Sequence, residues 1–118
     1  MKIEGNAKIL RIFISNTDKF KHTSVYEVLV FAAKRYGLAG ATVLKGFMGY
    51  GSSNVIQSVK FWELTEKLPM VVEIVDEADK IDRFTEKILP WFDKLRYGCL
   101  ITTEEANIVL HKQGTKKG

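Results

Sequence analysis

Between residues 9 and 14 apolar side chains crowd around a single charge. Ile9, Leu10, Ile12, Phe13 and Ile14 flank Arg11, and Asn16-Thr17-Asp18 then supplies turn chemistry. This predicts a first strand from Ala7 to Ile14. Ser24-Val25-Tyr26-Glu27 fits a capping box, in which the Ser24 hydroxyl and the Glu27 carboxylate satisfy reciprocal backbone donors at a helix start. Val25, Val28, Leu29, Ala32, Ala33 and Tyr36 recur at helical spacing, and Gly37 falls where a left-handed cap is wanted.

Ala41 to Phe47 reads as a second strand that runs into Gly46, Gly49 and Gly51, where the backbone is free to bend tightly. A long loop follows to about Lys67, a length that in a small domain marks a functional or mobile segment. Leu68 to Val75 reads as a third strand, with Pro69 near its start, where a missing N–H is tolerated. Asp76 to Asp79 offers caps for a second helix with the stripe Ile81, Phe84, Ile88, Trp91, Phe92 and Leu95, which Pro90 is expected to kink or break. After Gly98, Leu100 to Leu110 supplies a fourth strand, with an interruption expected at Glu104-Glu105. The order βαββαβ predicts an α+β, ferredoxin-like sandwich: a four-stranded antiparallel sheet with two helices on one face. Its bare face needs a cover, and symmetric self-association supplies one economically.

Composition narrows the class without naming a function. At 118 residues, 46% apolar and 27% charged, the chain is sized and composed for one globular domain. The domain is expected over residues 1–112, with the long loop at about 49–67 and a flexible tail at 113–118. Apolar runs stop well short of a membrane span and the start Met1-Lys2-Ile3-Glu4 has no signal-like stretch, so a cytoplasmic location is expected. The lone Cys99 excludes an intramolecular disulfide and reads as a buried structural thiol. The net charge of +4 leans on Lys112, Lys116 and Lys117 near the C-terminus, so it argues only weakly for a polyanion partner.

Chemistry concentrates at one end of this fold. Strands one and two point the same way, so that end collects the 16–23 loop, the glycine bend, the long loop and Arg96-Tyr97-Gly98. The start of the first helix opens there too, with unpaired N–H groups that favour an anion and Lys19, Lys21, Lys45 and Arg96 nearby. Gly46-Phe47-Met48-Gly49-Tyr50-Gly51 reads G-x-x-G-x-G, which is neither a dinucleotide fingerprint nor a Walker loop, but which suits an anion-binding nest or a hinge. His22 and His111 fall at opposite ends, roughly 25–30 Å apart for strands of this length, so they share no metal within one subunit. No motif pairs Ser52, Ser53 or Cys99 with His22. No catalytic or metal-ligating residue is assigned, and the chain reads as a non-enzyme that requires no cofactor.

The stretch Gly37-Leu-Ala-Gly-Ala-Thr-Val43, then Lys45-Gly-Phe-Met-Gly-Tyr-Gly51, then Leu68-Pro-Met-Val-Val-Glu-Ile-Val-Asp76, resembles the PII-like signalling superfamily, and most closely its member family domain of unknown function 190. The resemblance spans nearly the whole chain. It implies a homotrimer with its sheets around the threefold axis, and a T-loop that contacts a protein or membrane-transporter partner through Tyr50, Ser52, Ser53, Phe61 and Trp62. It also implies a small-molecule pocket between subunits, an adenine nucleotide being the PII ligand. Lys45, Gly46, Phe47, Gly49 and Gly51 would line one wall, with Arg96 nearby, and Gly40 with Thr42 of the neighbour the other. Where PII proteins carry the phosphate-binding T-G-x-x-G-D-G-K, this chain has only Arg96-Tyr97-Gly98-Cys99, which leaves a triphosphate without its usual anchor and admits a smaller or differently charged ligand.

Two rival readings come from other classes. Ile12-Phe13-Ile14-Ser15-Asn16 and Lys45-Gly46-Phe47-Met48-Gly49-Tyr50 imitate the two signatures of an RNA-recognition motif, yet the second must lie on strand three and here begins within strand two, too soon after Gly37 for another strand and hairpin before it. Nucleic acid is therefore not the expected partner. The other rival is a trimeric scaffold or metal-binding relative that senses no nucleotide, against which the chain offers no clustered His and Cys ligands.

Overall fold

The computed structural model describes residues 7–51, 56–58 and 67–115. Four strands form one antiparallel sheet: β1 (Ala7–Ser15), β2 (Ala41–Lys45), β3 (Pro69–Glu77) and β4 (Leu100–Ala106), in the order β2-β3-β1-β4. Helix α1 (Val25–Arg35) packs over β2 and β3, and α2 (Ala78–Asp93) over β1 and β3. This is the α+β, ferredoxin-like sandwich that the order of elements predicts.

Strand alternation decides which side chains meet the helices. Leu10, Ile12 and Ile14 of β1 register with Ile74, Val72 and Met70 of β3, and all six are buried beneath Val25, Leu29, Ala32 and Ala33 of α1 and Ile81, Phe84, Ile88 and Phe92 of α2. The other face carries Ile9, Arg11, Phe13, Val71, Glu73, Val75, Thr42, Leu44, Leu100 and Glu104, and among the described residues no helix packs against it.

The predicted left-handed cap of α1 is present. Gly37 has φ +75, its N–H donates to Lys34 O at 3.1 Å, and Leu38 N–H donates to Ala33 O at 3.0 Å. This Schellman arrangement satisfies two carbonyls that the helix leaves free. Asp76, also buried, accepts from Ala39 N–H at 2.9 Å and from Glu77 N–H at 2.7 Å, and so ties the 37–40 turn to the end of β3.

Several local expectations are corrected. Ser24 precedes α1 but makes no side-chain capping bond. It pairs with Lys19 in a two-residue ladder (Lys19–Phe20 with Thr23–Ser24), and Val25 N–H donates to the Asp18 carbonyl at 2.9 Å instead. The segment read as a loop is thus a small hairpin. Within the Asp76–Asp79 stretch it is Glu77 that precedes α2, and it too makes no side-chain capping bond. The helix runs through Pro90 to Asp93, because Ile88 and Phe92 are buried on either side of an exposed proline and hold the turn in register. Strand β3 starts at Pro69 and extends to Glu77. β4 is continuous through Glu104-Glu105 and stops at Ala106, opposite Ala7; Val109 and Leu110 beyond it are 79% and 68% exposed. Cys99 is half-buried rather than fully enclosed. Among the described residues no helix is long and apolar enough to cross a membrane.

Candidate functional site

The register places the glycine bend at the edge of the sheet. β2 is the outer strand, and Lys45 at its end sits opposite Met70 of β3. The next residue, Gly46, donates its N–H to Pro69 O at 2.7 Å. A Cβ on Gly46 would stand 2.7 Å from Pro69 Cγ and 3.2 Å from Pro69 O, so only glycine allows this approach. Met48–Gly49 then pairs with Gln57–Ser58, a two-residue ladder inside the segment read as a loop. The bend is therefore clamped at its base, and the Gly46 N–H is engaged internally rather than free for an anion.

Clamping Gly46 turns its neighbours outward. Phe47 is 71% exposed and Tyr50 69%, with Met48, Ile56 and Lys45 exposed beside them. Thr42 and Leu44 alternate with Val43 and Lys45, so Thr42 lies on the uncovered sheet face across from Glu73, while Lys45 belongs to the opposite face of the same strand. Among the described residues nothing lies within 4 Å of a Cβ added at Gly40 or Gly51 and neither has a left-handed φ, so no described neighbour requires glycine at either position. Arg96, exposed with its guanidinium 5.8 Å from the Tyr97 ring centre, precedes β4 on the other edge of the sheet. Three strand spacings, about 14 Å, separate that edge from β2. The structure thus brings Lys45, Gly46, Phe47 and Gly49 together, sets Gly40 and Thr42 along the same strand, and keeps Arg96 apart. Ser52, Ser53, Phe61 and Trp62 lie outside the described residues.

Sequence reasoning missed the centre of the uncovered face. Arg11 Nε donates to Glu73 Oε2 at 2.9 Å and its Nη1 to Glu104 Oε1, which joins three neighbouring strands. These bonds, to Glu104 first and then Glu73, raise the guanidinium further above its already high range, so Arg11 keeps its charge. The signal was present in the sequence as one charge in the middle of each of two apolar runs, Arg11 in β1 and Glu73 in β3.

At the same end of the fold, Ser15 N–H donates to the Asp18 carboxylate at 2.9 Å, and Asp18 N–H returns to Ser15 O at 3.1 Å. Burial pushes the Asp18 carboxyl above its ordinary range, against the lowering effects of the Ser15 bond and the Lys67 charge. Burial also raises the Cys99 thiol, and the Asp18 charge adds to it, so Cys99 stays a thiol near neutrality. Asn16 brackets Leu68, its N–H donating to Leu68 O at 3.0 Å and its Oδ1 accepting from Leu68 N–H at 2.9 Å, which fixes where the long segment rejoins the sheet. Among the described residues no three His, Cys, Asp or Glu side chains are placed to hold a metal.

Residues 7–108 match the family DUF190, described as "Uncharacterized ACR". The chain belongs to this family. A UPF0166 protein of Aquifex aeolicus (strain VF5) is 41% identical to this DUF190 chain over 102 residues, 86% of the chain and 92% of the relative. A UPF0166 protein of Methanocaldococcus jannaschii is 38% identical over 82 residues, 70% of the chain and 75% of the relative. Among solved structures, a protein of Thermus thermophilus described as PII-like aligns with TM-score 0.62 at 17% identity, covering 89% of this chain and 94% of that one. CPII of Thiomonas intermedia K12, a nitrogen regulatory PII-like protein bound to ADP, AMP and bicarbonate, aligns with TM-score 0.55 at 17% identity, covering 86% and 88%. At such identity these structures establish the fold that this DUF190 protein shares with PII-like proteins.

Proposed function

We propose that this DUF190 protein is a PII-like regulator and not an enzyme: a homotrimer that binds a small anionic ligand, an adenine nucleotide, in clefts between subunits. The segment after the glycine bend, with Tyr50 at its base, carries the state of the site to a partner protein. One observation carries the reading. Lys45 and Thr42 stand on opposite faces of β2, so a single cleft contains both only when two subunits contribute. Covering the face around the Arg11 triad brings a neighbour to that edge and removes Ile9, Phe13, Leu44 and Leu100 from water. Gly40 then has a use that the isolated subunit does not give it, the close approach of another chain.

The ligand chemistry follows from what the bend presents. Phe47 offers an exposed aromatic face for a base and Lys45 a charge for a phosphate. CPII, with the same fold, holds ADP and AMP. Without a T-G-x-x-G-D-G-K loop, a mono- or diphosphate is favoured over a triphosphate. Binding signals only if it distinguishes two states of the segment beyond Gly49, since a ligand shifts an equilibrium by its differential affinity.

The test joins mass to binding. Light scattering should give about three times 13.4 kDa, and ADP at about 100 times its Kd should stabilise by roughly 2.7 kcal/mol, a shift of several degrees in Tm. A monomer at micromolar concentration, or a Tm indifferent to ADP and AMP, refutes the reading.

A further inference from the structure

A second concavity lies away from the glycine bend and shares no residue with it. Between the 19–24 hairpin and the last turn of α2 a groove of about 390 Å³ opens, within the range usual for small-molecule sites. Its floor is Phe20, Val28, Trp91 and Leu95, and its rim is Lys19, Lys21 and Lys94. The floor is fixed in shape: the Phe20 ring meets Trp91 at 6.3 Å and 83° and Phe92 at 5.5 Å and 73°, both edge-to-face. Among the described residues no acidic side chain lines the groove. Among the described residues, none of the three lysines makes an ion pair.

The rim holds a further irregularity. Lys21 has φ +58, the one residue other than glycine with a left-handed backbone among those described. A lysine there is strained where glycine would sit freely, and its presence adds a third positive charge to the rim. Three cations that pair with no acid among the described residues repel one another around an aromatic floor whose apolar surface stays wet. A ligand with a flat apolar body and one anionic head relieves both at once.

We propose that this groove is a binding site for a small amphipathic organic anion, an aromatic carboxylate in chemical class, with its ring on Phe20 and Trp91 and its head among Lys19, Lys21 and Lys94. The groove lies on the helix side of the sheet, so an assembly that covers the Arg11 face leaves it open. The site stands independently of the nucleotide cleft proposed above.

The probe is naphthalene-2-carboxylate, compared with the neutral naphthalen-2-ylmethanol, titrated into the ¹⁵N-labelled full chain. The carboxylate should move the Trp91 indole N–H, assigned with Trp91→Phe, and the amides of Lys19–Lys21 and Lys94–Leu95. The alcohol should bind at least about fivefold more weakly. Lys21→Gly should weaken the carboxylate about two- to fivefold, leave the alcohol unchanged and leave Tm no lower, which separates lost charge from lost fold. Equal affinity for the two probes, shifts centred on Phe47–Gly49, an unchanged carboxylate affinity in Lys21→Gly, or no binding of either probe at millimolar concentration would each overturn the proposal.

Discussion

Gly46→Ala puts the geometry of the bend to a quantitative test. The new methyl would stand 2.7 Å from Pro69 Cγ and 3.2 Å from Pro69 O, the oxygen that accepts the Gly46 N–H at 2.7 Å. Neither obstacle is the free end of a flexible side chain, since one is a proline ring and the other is backbone. The methyl therefore fits only if β2 moves off the start of β3. Overpacking of this kind costs about 1–3 kcal/mol, and loss of the hydrogen bond about 0.5–1.5 kcal/mol more. At about 4 °C per kcal/mol for a domain of this size, Tm should fall by roughly 6–18 °C. The assay is thermal unfolding followed by circular dichroism, at one protomer concentration and without ligand, with Gly51→Ala as control because its Cβ meets nothing within 4 Å. Gly51→Ala should stay within about 0.5 kcal/mol of wild type. If Gly46→Ala melts within about 2 °C of that control, the limit such a scan resolves, the close approach to Pro69 does not govern the bend.

Other perturbations address other parts of the account. Pro90→Ala restores a backbone donor inside a helix that is already continuous, and should stabilise by about 1–3 kcal/mol in denaturant unfolding; a destabilised variant would mean that the proline fits a local bend. Asp18 has a carboxyl raised by burial, so the folded state binds the proton more tightly than the unfolded chain, and stability falls as pH rises from the unfolded value towards the folded one. Asp18→Asn should abolish that decline above about pH 4 and move the pH midpoint of Cys99 alkylation downward, since the Asp18 charge helps to raise the thiol; an unmoved midpoint would disprove the coupling. Arg11→Met leaves Glu73 and Glu104 facing each other with no cation between them. Sedimentation should then show weaker association at pH 7, whereas unchanged association at pH 7 would remove the triad from the interface.

The fold was legible wherever one pattern had no competitor. β1 and β3 follow from their apolar runs, though not which face of each is buried, and the Gly37 cap follows from a glycine directly after a helical stripe. Errors arose where a local signal met a tertiary one. Ser24 has the chemistry of a capping residue, but its backbone is drawn into the ladder with Lys19 and the Asp18 carbonyl takes the Val25 donor. Pro90 signals a break, yet burial of Ile88 and Phe92 keeps α2 on the sheet. Ile108-Val109-Leu110 looks like strand, but β4 ends where β1 begins at Ala7.

The candidate site was legible as a run of glycines and an adjoining lysine, though not in its mechanics. Sequence could suggest an anion nest, whereas the clamp that Pro69 places on the Gly46 N–H depends on the β2–β3 register. The lysine-rimmed groove was hidden for a similar reason. Lys21 and Trp91 are 70 positions apart in the chain, and only the hairpin and the end of α2 bring them to one surface.

The most direct test of an inter-subunit site is complementation. Lys45→Glu and Thr42→Arg each damage one wall of the cleft, so trimers of either variant alone should bind no ADP by calorimetry. In a ring with head-to-tail interfaces, equal amounts unfolded and reassembled together should recover about one quarter of the wild-type sites, each with an intact Lys45 from one subunit and an intact Thr42 from the next. Recovery near that fraction is the predicted result; a mixture that binds no more ADP than its components would contradict a site built by two subunits.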